Sequence, residues 1–138
     1  EAVAYDNLEV ADTDFYSNFL KAHYLQDDTN TNRTLGAANS IFSGLTVEFD
    51  DGGGGIYNVE YPDLIQPTQG SQACLAYDNS AGAAGIQYAG VFSGGTEEGK
   101  LVYLAFPFET IIAENVRLEA MQRVMTYFLP GNATFQIY

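Results

Sequence analysis

Residues 100–106, Lys100-Leu101-Val102-Tyr103-Leu104-Ala105-Phe106, form an almost unbroken apolar run. Such a run predicts a strand covered on both faces of a sheet, because a strand with one face in water alternates apolar and polar residues. From residue 115 to 129 the period changes. Leu118, Met121, Met125 and Phe128 fall on one stripe at helical spacing, and Pro130-Gly131 closes the segment. The stretch predicts an interior strand, a turn at Phe106-Pro107-Phe108-Glu109, and a helix packed back on the same sheet.

Upstream of this unit the pattern is more broken. Residues 13–24 read as a helix, capped by Thr13 or Asp14, with Phe15, Tyr16, Phe19, Leu20 and His23 on its apolar side. Residues 25–38 are polar and predict a loop. Residues 41–49 read as a strand from the alternation of Leu45, Val47 and Phe49 with Thr46 and Glu48. Asp50-Asp51 and four consecutive glycines, Gly52 to Gly55, predict an exposed, flexible loop. Further strands are expected at 73–77 and 85–92, joined by a small-residue turn, with Gly94 to Gly99 leading into the last strand. Residues 130–138 read as a strand or linker. Strands thus occupy about 41–106, within a single domain or domain fragment spanning 1–138. The expected fold class is α/β, a mixed sheet with flanking helices, with a β-rich α+β domain as the alternative.

Charge narrows the function classes. Eighteen acidic residues against five basic ones give a net charge of −13. That excess repels a phosphate backbone and anionic lipid, and it suits cation binding and solubility outside a cell. No apolar stretch reaches the length of a membrane span. Cys74, the sole cysteine, lies in Ala73-Cys74-Leu75-Ala76, which reads as a small buried residue; the Gly-x-Cys-x-Gly elbow of a nucleophile is absent. The chain starts at Glu1, which suggests a processed polypeptide or a fragment of a longer one.

The strand, the Pro107-Phe108-Glu109 turn and the helix resemble the last strand and helix of class I glutamine amidotransferase-like domains, in the degenerate form carried by large secreted bacterial proteins. Looser matches are the segment from Asp14 to Tyr24 followed by Asp27-Asp28, then Ser43-Gly44-Leu45-Thr46-Val47, Tyr61-Pro62-Asp63, and the segment from Ala76 to Gly85. The resemblance covers roughly this whole chain, but only the second half of the parent flavodoxin-like fold. Active members carry His-x-Glu at the turn. Here Pro107 stands at the His position, and proline cannot act as a base. The resemblance therefore implies an extracellular or cell-surface accessory module with a degenerate active site and no catalytic residues. Its partner would be another segment of the precursor or other copies of itself. A hydrolase or amidotransferase half-domain using Glu109 is the enzymatic alternative, and a surface-filament subunit is a third reading.

The residues themselves offer three kinds of binding site. Asp27 and Asp28 beside Asn30, and Asp50 and Asp51 beside the glycines, present the hard oxygens that calcium takes, although neither pair fits an EF-hand loop; Asp12 and Asp14 form a further acidic pair. No other cofactor is expected. Tyr57 and Tyr61 flank the glycine loop and are the tyrosines best placed to stack on carbohydrate. Asn32 and Asn132 begin N-glycosylation sequons. His23 has no partners at metal-ligand or catalytic spacing, so a partly buried structural imidazole is expected.

Overall fold

The structure is a computed structural model that describes residues 13–129. Helix α1 (Thr13–Asn18) leads into strands β1 (Ala22–Gln26), β2 (Arg33–Gly36), β3 (Thr46–Glu48), β4 (Leu64–Pro67), β5 (Gln72–Tyr77), β6 (Ala83–Val91) and β7 (Glu98–Leu104). A single 3-10 turn (Phe108–Thr110) then precedes helix α2 (Glu114–Phe128). The seven strands make one open sheet in the order β1-β4-β6-β5-β2-β3, with β7 also paired to β6.

The expected combination of a sheet with flanking helices is present. The mixed sheet is not, because every strand pairing among the described residues is antiparallel. For the consecutive pairs β2–β3, β5–β6 and β6–β7 the links are shorter than the crossover of a dozen or more residues that a parallel neighbour needs.

The helix expected over 13–24 stops at Asn18. Lys21 takes a left-handed φ of 57°, and the chain leaves as β1. Ala22 and Tyr24 are buried while His23 and Leu25 are exposed, which is strand alternation. His23 therefore faces solvent on a strand instead of resting on the apolar side of a helix. The apolar residues of this segment fit both periods, and pairing with β4 decides between them. Lys21 itself is 3% exposed, with its ammonium 4.7 Å from the centre of the Tyr88 ring and hydrogen-bonded to Gln69.

Residues 33–36, expected in a loop, form β2 between β3 and β5. Thr34 is buried there, and its hydroxyl donates to the Val47 carbonyl. The strand expected over 41–49 shortens to β3, because residues 37–45 wrap back on Gly36 through Gly36 N–H to Leu45 O at 2.7 Å.

Strand β7 begins two residues before the expected 100–106 run and is not interior by pairing: among the described residues β6 is its sole strand neighbour. The apolar run is instead explained by its two covered faces. Val102 and Leu104 pack on a core of Phe42, Val47, Phe49, Cys74, Phe106 and Ala120, which α2 closes. Tyr103 packs on the other side with Tyr16, Ala22, Ile65 and Ile86, which α1 closes. The result is three layers, helix, sheet and helix.

Helix α2 falls within a residue of its expected bounds but turns a different face inward. Ala120 is buried, and Val116 and Val124 pack against the core. Leu118, Met121 and Phe128, expected to face the sheet, are each more than a third exposed. The helix has apolar residues on two sides, and the smaller side chains let it approach the sheet more closely.

Candidate functional site

The C-terminal end of β7 and the segment after β3 are bound together. Phe49 stacks on Phe106 with ring centres 4.2 Å apart and planes within 7°. Phe49 also bridges Ile111, Asp50 N–H donates to Thr110 O at 3.0 Å, and Ile112 N–H donates to Glu48 O at 3.0 Å. This clamp brings the glycine loop up against the Pro107-Phe108-Glu109 turn.

The loop is exposed, as its glycines predict, and it is organised by one buried carboxylate. Asp50 Oδ1 accepts N–H bonds from Gly52 at 2.8 Å and Gly54 at 2.7 Å, and Oδ2 accepts one from Ile56 at 2.6 Å. These donors, led by Gly54 and Ile56, hold the carboxyl below its usual range against the opposing effect of burial. Glycine is required at position 54 because a Cβ there would lie 2.9 Å from Ile112 Cγ1 and 3.0 Å from Asp50 Oδ1. Val59 N–H closes the loop onto Asp50 O at 2.9 Å.

Asn32, just before β2, pins the same closure. Its Nδ2 donates to Asp50 O at 3.1 Å and to Val59 O at 3.0 Å. That nitrogen is the one a glycan would take, and here it makes both of these bonds. Asn132 lies outside the described residues.

The closed loop delivers Tyr57 and Tyr61 to one groove of about 430 Å³. They are 47% and 53% exposed. Glu60, Asn58 and Asp63 join them, and Ala105 and Pro107 close the end where β7 stops. The volume lies within the roughly 300–1,000 Å³ of small-ligand pockets. Asp63 is 8% exposed, with its carbonyl accepting the Tyr77 hydroxyl at 2.8 Å. Tyr57 donates its hydroxyl to Glu109 Oε1 at 2.8 Å. The Glu109 carboxyl is held below its usual range, first by its own backbone N–H and then by Tyr57, while the Tyr57 phenol is pushed up by that same bond. At neutral pH Glu109 is thus an ionised, exposed acceptor, poorly suited to donating a proton.

The two tyrosines singled out from the sequence therefore meet in one place. Asp27 and Asp28 sit on a different loop, where Asp28 Oδ1 accepts the N–H of Asn30 at 2.8 Å. Asp51 likewise turns inward to Gly53 N–H at 3.0 Å. Among the described residues no three His, Cys, Asp or Glu side chains gather as a metal site. Asp12 lies outside those residues. Cys74 is fully buried, and burial pushes its thiol pKa up to about 12. Glu60, Asp63 and the bracing role of Asn32 were not anticipated. The one local signal was Asp50-Asp51 ahead of glycines, since aspartate accepts N–H bonds from residues just downstream.

Comparison with protein-family models, with curated proteins and with solved structures finds no match to this chain.

Proposed function

We propose that this chain is a non-catalytic, extracellular accessory module that binds its partner through the Tyr57–Tyr61 groove, with carbohydrate as the ligand class. The observation that carries this reading is the convergence of two exposed tyrosines with carboxylate and amide groups in one open groove. Aromatic faces stack on the C–H faces of sugar rings, and carboxylates accept the hydroxyl hydrogens around the ring edge. The amidotransferase-like resemblance bears on the same place. It puts the groove's end wall, Pro107, where active members carry their base, so a binding role at a degenerate site is consistent with it. The extracellular assignment rests on that resemblance and on the acidic composition.

Affinity electrophoresis in gels containing neutral, soluble polysaccharides tests the reading. Retardation by at least one of them is expected, weakened about tenfold, or about 1.4 kcal/mol, by Tyr61→Ala. Free migration in every gel, or retention indifferent to Tyr61→Ala in a variant with unchanged circular dichroism, would refute it.

The outward stripe of α2 favours a second reading, assembly with other copies of the chain. Leu118, Met121 and Phe128 of α2, with Leu129 just past its end, are all exposed. Sedimentation that returns a monomer over a wide concentration range would end that reading.

A further inference from the structure

Strand β7 keeps one open edge. Ala105 N–H donates to Ala84 O at 2.8 Å, and the β6–β7 register sets those two residues opposite each other. Hydrogen-bonded and non-hydrogen-bonded pairs alternate along an antiparallel ladder, so Gly99, Leu101 and Tyr103 also turn their backbone groups to β6. Glu98, Lys100, Val102 and Leu104 therefore aim N–H and C=O the other way, where no strand among the described residues pairs with them.

The other two sheet edges are blunted. Strand β1 has a break in register between Tyr24 and Gln26, and β3 is three residues long, with Phe49 bridged to Ile111 just beyond it. Strand β7 has seven consecutive pairs without a bulge, no proline, and an apolar run from Leu101 to Leu104. Its lysine does not guard the edge, because the Lys100 ammonium is folded onto the Tyr127 carbonyl and ring.

The exposed stripe of α2 lies on the same side. Arg123 fixes one flank of the helix to the loop after β2, donating to Ile41 O and Ser43 O. In the sheet, β2 and β7 lie on opposite sides of β6. Helical spacing puts Leu118, Met121 and Phe128 on the other flank, and Phe128 shares a hollow with Glu98, Gly99 and Lys100. The stripe thus overhangs the open edge.

A strand edge matches itself when turned about a two-fold axis, since each outward residue brings one donor and one acceptor. With the axis at Leu101, two β7 strands overlap over their whole length. Lys100 of each copy then stands opposite Val102 of the other, so no like charges face each other, and the two α2 stripes meet beside the join. The flank is about 23 Å long for one strand and about 20 Å high across three layers, so the pair buries roughly 1,000 Å², the lower bound for a specific contact.

We infer that two copies of this chain pair antiparallel through β7, joining their sheets into one, with the α2 stripes packed across the two-fold axis. The inference rests on the self-assembly reading above and names its surface.

Sedimentation velocity of the whole chain over a wide concentration range provides the test, in salt that screens the net charge of −13 on each copy. A monomer–dimer equilibrium is expected. The Val102 N–H points away from β6, so Val102→Pro removes an outer donor and leaves the β6 ladder whole. It should weaken the dimer at least about tenfold with circular dichroism unchanged. Leu101→Cys is the second variant. Across the axis the two Leu101 positions form a non-hydrogen-bonded pair with Cα atoms about 4.5 Å apart, within disulfide reach. Mild oxidation should cross-link this variant into dimers and leave the parent uncrosslinked, since Cys74 is buried.

A dimer that survives Val102→Pro and does not cross-link through Leu101→Cys, yet is lost in Met121→Lys, would overturn the β7 pairing while assembly through α2 stands. A monomer at every concentration would overturn both. Slow amide exchange at Lys100, Val102 and Leu104 in that monomer would put another segment of the same chain on the edge.

Discussion

Gly36→Ala is expected to be among the most damaging single-methyl additions in this chain, although the backbone at Gly36 is not left-handed. A Cβ built at Gly36 overlaps the carbonyl oxygen of Phe42, lies 2.5 Å from its carbonyl carbon and 3.2 Å from Leu45 N. These are backbone atoms, so no rotamer change relieves the clash. Loop 37–45 must lift away from β2. That movement breaks Gly36 N–H to Leu45 O at 2.7 Å and Leu45 N–H to Phe42 O at 2.9 Å. The two bonds are worth about 2 kcal/mol together. It also partly exposes Phe42 and Leu45, now 1% and 7% exposed, which adds about 2 kcal/mol at half of the usual burial energy for two such side chains. The expected loss is about 4 kcal/mol, a large part of the roughly 5–15 kcal/mol that stabilises a domain. Gly44→Ala is the control in the same loop. Gly44 has φ of 77° and nothing within 4 Å of its Cβ position, so only left-handed strain of about 1–2 kcal/mol applies. Urea titration followed by far-ultraviolet circular dichroism separates the two, because the chain has no tryptophan to report by fluorescence. A Gly36→Ala variant within about 1 kcal/mol of the parent, or less damaged than Gly44→Ala, would refute the reasoning.

The remaining expectations concern buried and organising groups. Cys74 should resist thiol reagents in the native state and react at once in denaturant, because burial raises its pKa to about 12 and closes access; rapid native labelling would contradict its placement. Asp50→Asn should speed amide hydrogen exchange at Gly52, Gly54 and Ile56, its three N–H donors, and leave exchange in β6 unchanged. Because the folded pKa of Asp50 lies below its ordinary value of 3.8, its contribution to stability is present above that value and lost as pH falls through the lowered one. Only once pH has fallen through that lowered value, below 3.8, should the parent therefore converge on Asp50→Asn in loop protection, and a gap that persists into stronger acid would count against the cradle.

Local pattern was enough for α2, β5, β6 and the exposed glycine loop. A fifteen-residue helix at regular apolar spacing, and hairpin strands bounded by glycine turns, carry their signals within a few residues. The burial of Cys74 and the exposure of Tyr57 and Tyr61 were legible for the same reason, since neighbouring composition predicts them. What the sequence left open were choices between two locally acceptable answers. Residues 22–24 satisfy both helical and strand spacing, and β4 settles the matter by supplying a ladder. Residues 33–36 look like loop until β3 and β5 bracket them. Helix α2 could have turned either apolar side inward, and the sheet accepts the one whose small Ala120 permits close approach. The groove belongs to the same class. Tyr57 and Pro107 lie fifty residues apart, and only the Phe49–Phe106 stack and the Asp50 cradle bring their segments together. Local propensity reports a residue's own surroundings a few positions either way, whereas a site made by two distant segments depends on contacts whose energy appears only once the chain has closed on itself.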